Sequence, residues 1–390
     1  MNKIIHKKIN TVVSQQGYSM LELLVAMTLG ILVLSSAVSM QVSNRDAFKS
    51  TTAQLQMKTN AKLAAEFIGT SLRNVGVMGC RTIDGYVGGQ KDAGKNQSSY
   101  NISLNATTLA FADFNLGHEI QGYQSVGAGW VPTPSADLSL TNAVSGSDIV
   151  TLRGGIGESY VLLDRNEGDT QYTLDIAAGT NVLMAKNNFA VASTCKDAEV
   201  FQITTSDSAI DAGNIGRAAG GAAPGNSVGT WGLDTGGILK KGYAELRRVA
   251  TVTYYVGNNA AGIPTLYRNI DGVSSALVEG VERMKIDYGI EDSELLRNVA
   301  ARYLSAEQIQ ANCSTPLANP LIGTCLWGDV ISVRVSLIMR SKEEIFGKDI
   351  SKTYTLPGTD VLNYVTNDKY SRTLYSSTFV VRNRVVGNRT

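Results

Sequence analysis

Between Tyr18 and Val42 the chain runs for 25 residues with one charged side chain, Glu22, and no proline. As a helix rising about 1.5 Å per residue, the stretch is roughly 37 Å long, enough to cross the hydrocarbon core of a bilayer, about 30 Å thick. Only a short leader precedes it, with Lys3, Lys7 and Lys8 as its fixed charges. Positive charge ahead of an apolar span predicts a cytoplasmic N-terminus and export of everything after Val42. A chain so divided has a leader, a membrane stretch and an exported part long enough for a sizeable core.

Three readings compete for this stretch. A secretory signal has a shorter apolar core and a small-residue cleavage site at its far end. Here the run is too long, and Ser35-Ser36-Ala37 falls inside it. A plain signal anchor fits the hydropathy but leaves one spacing unexplained: Gly17 at the membrane boundary, followed five residues later by Glu22. A carboxylate in hydrocarbon is costly and marks function by default. It needs a cationic partner, and a cut after Gly17 creates one in the α-amino group of Tyr18, one helical turn away.

The segment Gly17-Tyr18-Ser19-Met20-Leu21-Glu22-Leu23-Leu24-Val25-Ala26-Met27 resembles the class III signal of type IV pilins and their relatives. The resemblance implies cleavage after Gly17 by a prepilin peptidase and N-methylation of Tyr18. It also implies that Glu22 is the assembly carboxylate, paired with the N-terminus of a neighbouring subunit in the filament core. Tyr18 stands where phenylalanine is commoner and keeps the aromatic ring. Later segments resemble PilW-type minor pilins in the family's order: Ala61 to Arg81, Leu277 to Gly289, Asp329 to Arg340 and Phe379 to Asn383. The region from Arg81 to Tyr243 carries little recognisable pattern.

Taken together, the resemblance implies a structural subunit and not an enzyme, with no cofactor, in a tip or priming complex of a type IV pilus. Its partners would be the prepilin peptidase, other minor pilins, the major pilin and a PilY-like tip adhesin. It would sit in the inner membrane with its head periplasmic before assembly, then at the extracellular pilus tip, serving twitching motility, adhesion and DNA uptake. A J-type pseudopilin of a type II secretion system shares the leader and is the alternative. A signal-anchored periplasmic protein outside any filament is the third reading.

Beyond Val42 the sequence turns amphipathic. Phe48, Leu55, Leu63, Ala64, Phe67, Ile68, Leu72 and Val75 recur near three- and four-residue spacings and describe one apolar stripe. Arg45, Lys49, Lys58, Lys62, Glu66 and Arg73 fall largely on the other side, and Gly76 and Gly79 supply the stop. Ala26 and Gly30 form a small-xxx-small pair.

From Thr82 onward the signals are those of strands: Thr108–Phe114, Asp148–Arg153, Tyr160–Leu163, Tyr172–Ile176 and Val200–Thr204. The Gly/Ala-rich segment 206–237 reads as a long mobile loop or a boundary. Val249–Val256 and Thr265–Ile270 flank Gly257-Asn258-Asn259 as a hairpin. Val278–Tyr288, Val330–Met339 and Thr378–Val386 read as strands and Ala300–Gln308 as a short helix. The expected fold is α+β, type IV pilin-like: one long N-terminal helix and a large, mostly antiparallel β head. Its parts are a leader (1–17), a membrane half (18–42), an amphipathic half (43–79) and the head (80–390).

The head offers little for catalysis. His6 lies in the leader, so His118 alone would remain after cleavage, which leaves no His cluster for a metal. Gly225-Asn226-Ser227-Val228-Gly229 matches the spacing of a nucleophile elbow, but no convincing strand precedes it and no histidine follows. Gly89 to Asn96 nearly matches a phosphate-binding loop, with Asn96 where the Mg²⁺-binding hydroxyl belongs. Asp287, Glu291, Asp292 and Glu294 lack calcium-loop spacing and read as a solvated acidic turn.

A net charge of +1 gives no global case for nucleic acid. Arg372, Arg382, Arg384 and Arg389 alternate with Val380, Val381, Val385 and Val386, the pattern of an exposed strand face, so DNA contact is not expected. Cys80, Cys195, Cys313 and Cys325 all fall on the exported side, where an even count predicts two disulfides. Of the three possible pairings, Cys313 with Cys325 brackets a short Pro-containing loop and is favoured. Cys80 with Cys195 is then left, and would pin the helix end to the head.

Overall fold

The computed structural model of the protein describes residues 19–78, 119–163, 171–177, 179–193, 198–227, 244–291, 299–311, 326–356 and 362–381. Shorter described pieces lie at 17, 81–82, 100–102, 104–105, 229, 313 and 358. The chain divides into two compact units, Met1–Thr52 and Ala53–Thr390. One helix, α1 (Met20–Asn74), supplies nearly all the described structure of the first unit and opens the second.

Helix α1 begins where its chemistry dictates. Ser19 caps it, its hydroxyl accepting from the Leu21 N–H at 3.3 Å and its carbonyl accepting from Glu22 and Leu23. It ends at Asn74, and Gly76 takes φ +71° while donating its N–H to the Arg153 carbonyl at 2.9 Å. That left-handed conformation is the stop the sequence predicts at Gly76; Gly79 lies outside the described residues.

In the second unit α1 buries Ala53, Met57, Ala61, Ala64, Ala65, Ile68, Gly69 and Leu72. Alanine and glycine dominate this face, so the helix backbone lies close to the sheets. A Cβ on Gly69 would stand 2.3 Å from Phe379 Cε1. Tyr254 reaches back from the sheet, its hydroxyl donating to the Phe67 carbonyl at 3.0 Å and lying 2.8 Å from Ser71 Oγ. The single stripe expected from the sequence is in fact two. Phe48, Leu55 and Leu63 are 74%, 61% and 47% exposed. At about 100° per residue, Leu55 and Leu63 fall opposite Ala61, Ala64 and Ile68, on the side away from the head.

Two main sheets form the head, beside two-stranded ladders such as Gln171–Thr173 with Asn214–Gly216 and Ile350–Leu356 with Leu362–Asp368. The larger has nine strands, in the order Tyr100–Ile102, Ala198–Gln202, Phe189–Ser193, Ala244–Asn258, Ile149–Leu162, Ile120–Val126, Gly129–Val131. Pro264–Ile270 and Val273–Glu279 continue it outward from Ala244–Asn258. The smaller has four strands, in the order Ala300–Leu304, Val281–Glu291, Val330–Glu344, Tyr370–Val380. Pairing is antiparallel throughout both except between Tyr100–Ile102 and Ala198–Gln202. Residues of α1 and of both sheets share one hydrophobic core, centred on Ile68, Leu72, Ile120, Leu152, Met284, Val335 and Trp327.

The expected hairpin forms, but its turn is 259–263 and not 257–259: Gly257 and Asn258 pair with Thr265 and Pro264, and Asn259 Oδ1 accepts from the N–H groups of Ala261 and Ile263. Other strand expectations change. Asp148–Arg153 and Tyr160–Leu163 belong to one strand, Ile149–Leu162, whose Gly154 and Gly155 are not breaks but clearance for the end of α1, while Gly157, at φ +71°, sits in a bulge opposite Arg247 and Arg248. A Cβ on Gly154 would lie 2.8 Å from Gly76 N, and one on Gly155 2.8 Å from the Val77 carbonyl oxygen. Val278–Tyr288 is the converse case, one expected strand divided at Gly280. There φ is +87°, and the chain passes from the larger sheet to the smaller.

Further corrections follow along the chain. Ala300–Gln308 is half strand, Ala300–Leu304, before the helix Ala306–Ala311 begins. The last described strand, Tyr370–Val380, begins eight residues before the expected start at Thr378, and 382–386 lie outside the described residues. The described part of 206–237 is not a loose loop. It holds the helix Asp207–Asp211 and the strand Asn214–Gly216, with Ile210, Ile215 and Arg217 buried. Arg217 forms a buried ion pair with Glu199, and Asn226 exchanges hydrogen bonds with the Gln202 backbone. Thr108–Phe114 lies outside the described residues.

Candidate functional site

The N-terminal segment is built for contact with something other than its own chain. Every large apolar side chain in the run Met20 to Val42 is more than half exposed, and this is the one described helix long and apolar enough to cross a membrane. Its hydroxyl groups are already satisfied. Thr28, Ser35, Ser36 and Ser39 each donate a hydroxyl to a carbonyl three or four residues back, at 2.8–2.9 Å. Such back-bonding hides hydroxyls from an apolar solvent. The Gln41 amide lies at the far end of the run, and Glu22 lies in the first turn of the helix, where the N-terminal dipole favours negative charge. Among the described residues no basic side chain pairs with it.

Gly17 is exposed, and a Cβ there would meet nothing within 4 Å. Among the described residues neither packing nor a left-handed turn calls for a glycine at 17. Tyr18 lies outside the described residues. Of the cysteines, Cys313 is disulfide-bonded and no described cysteine is free; Cys80, Cys195 and Cys325 lie outside the described residues.

In the head, charges that read as surface features are buried. Arg372, expected on an exposed basic face, has a side chain 2% exposed and is clamped by two carboxylates. Its Nε and Nη2 donate to Glu282 at 2.5 and 2.9 Å, and its Nη1 and Nη2 donate to Asp368, both at 2.7 Å. Burial works against the charged guanidinium, but the bonds to Asp368 and Glu282 override it and raise its pKa. The same bonds hold the Asp368 carboxyl below its usual range. Arg382, Arg384 and Arg389 lie outside the described residues.

Asp287 corrects the solvated-turn reading. Its side chain is 0% exposed and accepts from Arg334 Nη2 at 3.1 Å, while Arg334 stacks over Tyr303. Asp292 and Glu294 are outside the described residues. No group of metal-binding side chains occurs among the described residues. Gly225 and Asn226 are buried turn residues rather than an elbow after a strand, and segment 89–96 lies outside the description.

Asp148 is a residue that sequence reasoning missed as a linchpin. Its carboxylate accepts from Ser125 N in the larger sheet and from Ile286 N in the smaller, both at 2.9 Å. Burial pushes its pKa up to about 6, against the opposing pull of Lys285 and of the two backbone bonds. Nothing in the local sequence marks this role, because both partners lie far away along the chain.

Residues 253–383 match the family model described as Type IV Pilus-assembly protein W. The matched segment takes in the hairpin, the whole smaller sheet and the Glu282–Arg372–Asp368 clamp, and supports a PilW-type protein. No curated protein and no solved structure matches the chain.

Proposed function

We infer, with the family match over residues 253–383 as premise, that the chain is a minor pilin, a structural subunit of a type IV pilus tip or priming complex rather than a catalyst. The observation that carries the reading is the N-terminal helix. Its apolar side chains from Met20 to Val42 are exposed, its hydroxyls are internally bonded and its one carboxylate has no basic partner among the described residues. A membrane, and later a bundle of like helices, covers such a surface, with the Gln41 amide at its far end and Glu22 left to be paired.

In this mechanism the cationic leader holds the precursor in the inner membrane. A prepilin peptidase cuts after Gly17 and the new Tyr18 N-terminus is methylated. Glu22 then finds the N-terminal ammonium of a neighbouring subunit as the helix leaves lipid. The head, pinned by disulfides among Cys80, Cys195, Cys313 and Cys325, joins other minor pilins, the major pilin and a PilY-like adhesin.

Intact-mass and N-terminal peptide analysis of protein from native membranes and sheared filaments tests this. The expected species begins at N-methylated Tyr18. A chain that keeps Met1 or is cut near Ala37 would sink the reading. Glu22→Ala at native expression should leave the head folded and abolish incorporation into filaments; normal piliation and twitching would contradict it. Loss of enzyme secretion with twitching intact would move the chain to a type II secretion system.

A further inference from the structure

The strand Tyr370–Val380 forms one edge of the smaller sheet. Its inner edge is zipped to Val330–Glu344 in an unbroken register from Arg340↔Arg372 to Ser332↔Val380. Among the described residues no strand pairs with its outer edge. Val381 N donates to the Ile331 carbonyl at 2.8 Å, which fixes the alternation of the ladder. Odd-numbered residues bond inward, and Leu374, Ser376, Thr378 and Val380 turn their N–H and C=O groups outward.

An open edge is normally blunted by shortness, charge, proline or a bulge, because it otherwise pairs with any extended chain it meets. From Thr373 to Val380 there is no charge, proline, glycine or bulge. The side chains form two rows. Leu374, Ser376, Thr378 and Val380 are exposed, while Thr373, Tyr375, Ser377 and Phe379 are half-buried. Tyr375 and Phe379 pack against the main core. A neighbouring strand therefore has to offer an apolar residue beside Phe379 and keep its charges off that row, where they would lose solvent with no partner.

A segment with that pattern follows in the chain itself. Beyond Val381, where the described strand ends, come Arg382-Asn383-Arg384-Val385-Val386-Gly387-Asn388-Arg389-Thr390. The ladder decides how this segment can return. A two-residue turn at Arg382 and Asn383 needs the Val381 N–H for its closing pair, and Ile331 already holds that N–H. A three-residue turn sets Arg389 beside Tyr375, on the half-buried row. A four-residue turn, 381–384, keeps Arg382 and Arg384 in the turn with Asn383, a residue suited to turns. It pairs Val385 with Val380, Gly387 with Thr378 and Arg389 with Ser376, all through outward-facing groups. Val386 then lies beside Phe379, Asn388 beside Ser377 and Thr390 beside Tyr375, and Arg389 falls on the exposed row.

We propose that residues 385–390 return through this turn and add to the outer edge of Tyr370–Val380 as a fifth, antiparallel strand, so that the smaller sheet is closed by the chain's own segment. The added strand lies beyond the matched residues 253–383, and the pairing does not depend on the pilin reading.

The test is hydrogen exchange of the purified full-length chain in lipid nanodiscs, resolved to single amides by mass spectrometry. Ser376 and Thr378, whose N–H groups face outward, should exchange at least tenfold more slowly than an unpaired chain. Gly387→Pro removes the N–H that meets the Thr378 carbonyl, and should speed exchange at Ser376 and Thr378 at least tenfold. The inward amides of Tyr375, Ser377 and Phe379 should keep their protection in that variant, which shows that the sheet is still folded. Ser377→Cys with Asn388→Cys, at a non-hydrogen-bonded pair, should form a disulfide within one chain. Ser377→Cys with Arg389→Cys, whose side chains fall on opposite faces, should not.

Fast exchange at Ser376 and Thr378 in the parent would overturn the proposal, since the edge would then be open. Protection that survives Gly387→Pro would give the edge to another occupant, and protection that rises with protein concentration would give it to a second copy. A disulfide between Cys residues at 377 and 388 that joins two chains, or none at all, would overturn it as well.

Discussion

Replacing Arg372 by Met tests whether the clamp in the smaller sheet is a structural keystone or an exposed basic contact. The substitution keeps an unbranched apolar stem of similar reach and deletes the guanidinium. It leaves Glu282, whose side chain is 8% exposed, without the donors that approach at 2.5 and 2.9 Å, and frees Asp368, which is 35% exposed. Stranding one member of a buried pair costs about 3–5 kcal/mol. Asp368 retains enough water contact that Glu282 carries most of that cost, and Arg340 Nη1 at 3.7 Å and the Tyr364 hydroxyl at 3.3 Å, both still beside Glu282, hold the loss below the top of that range. Unfolding entropy of about 2.1 cal/mol/K per residue over Ala53–Thr390 gives roughly 0.7 kcal/mol/K. A loss of about 4 kcal/mol then lowers Tm by about 6 °C in a thermal melt of the purified protein. Adding Glu282→Gln removes the stranded charge and should recover at least half the loss, because an uncharged replacement of both partners is often near neutral. A single variant melting within about 1 °C of the parent, or a double variant no better than the single, would refute the reasoning.

Asp148 gives a pH signature. Its folded pKa, about 6, lies above the unfolded value of 3.8, so the folded state holds the proton more tightly. Its contribution is fully present below the unfolded value and is lost as pH rises through about 6, a fall of up to about 3 kcal/mol. Denaturant titrations from pH 4 to 7 should show that slope in the parent and its loss in Asp148→Asn; an unchanged slope would acquit Asp148. Gly280→Ala forces a side chain into φ +87° with its Cβ 2.8 Å from the Arg340 carbonyl oxygen, and should cost about 2 kcal/mol or more by denaturant midpoint. Leu55→Ser and Leu63→Ser should each stay within about 0.5 kcal/mol of the parent. Ile68→Ala, on the buried face of the same helix, should lose about 2–5 kcal/mol; comparable losses at Leu55 would refute the two-faced helix.

What could be read from the sequence was what short-range chemistry controls. The apolar run, the stop at Gly76 and the hairpin after Val256 are written in consecutive residues; the helix forms as expected, and the hairpin forms with its turn two residues later than expected. The misreadings share one cause, a partner distant along the chain. Gly154 and Gly155 resemble a strand break until the end of α1 is placed over them. Gly280 resembles a tolerated strand residue until the change of sheet demands its conformation. Arg372, Asp287 and Arg217 look solvated because Glu282, Arg334 and Glu199 cannot be matched to them from spacing alone. The signal at Gly17, Tyr18 and Glu22 is of another kind, since under the proposed reading its pattern answers to a membrane and to other chains.

The helix carries this distinction within one element. Its inward face sets Met57, Ile68 and Leu72 among Ala61, Ala64, Ala65 and Gly69, small residues that permit close approach, so that Phe379 and Tyr254 can lock it. Leu55 and Leu63 point the other way. Turned inward each would gain, since burying a leucine is worth about 1.5–3 kcal/mol. Keeping them outside forgoes that gain in isolation and leaves it for contacts made by the outer face. Under the proposed reading those contacts are with neighbouring subunits: the inner face fixes the head on its helix, and the outer face holds that helix among others. Glu22, with no basic partner among the described residues, then has a defined place to find its charge.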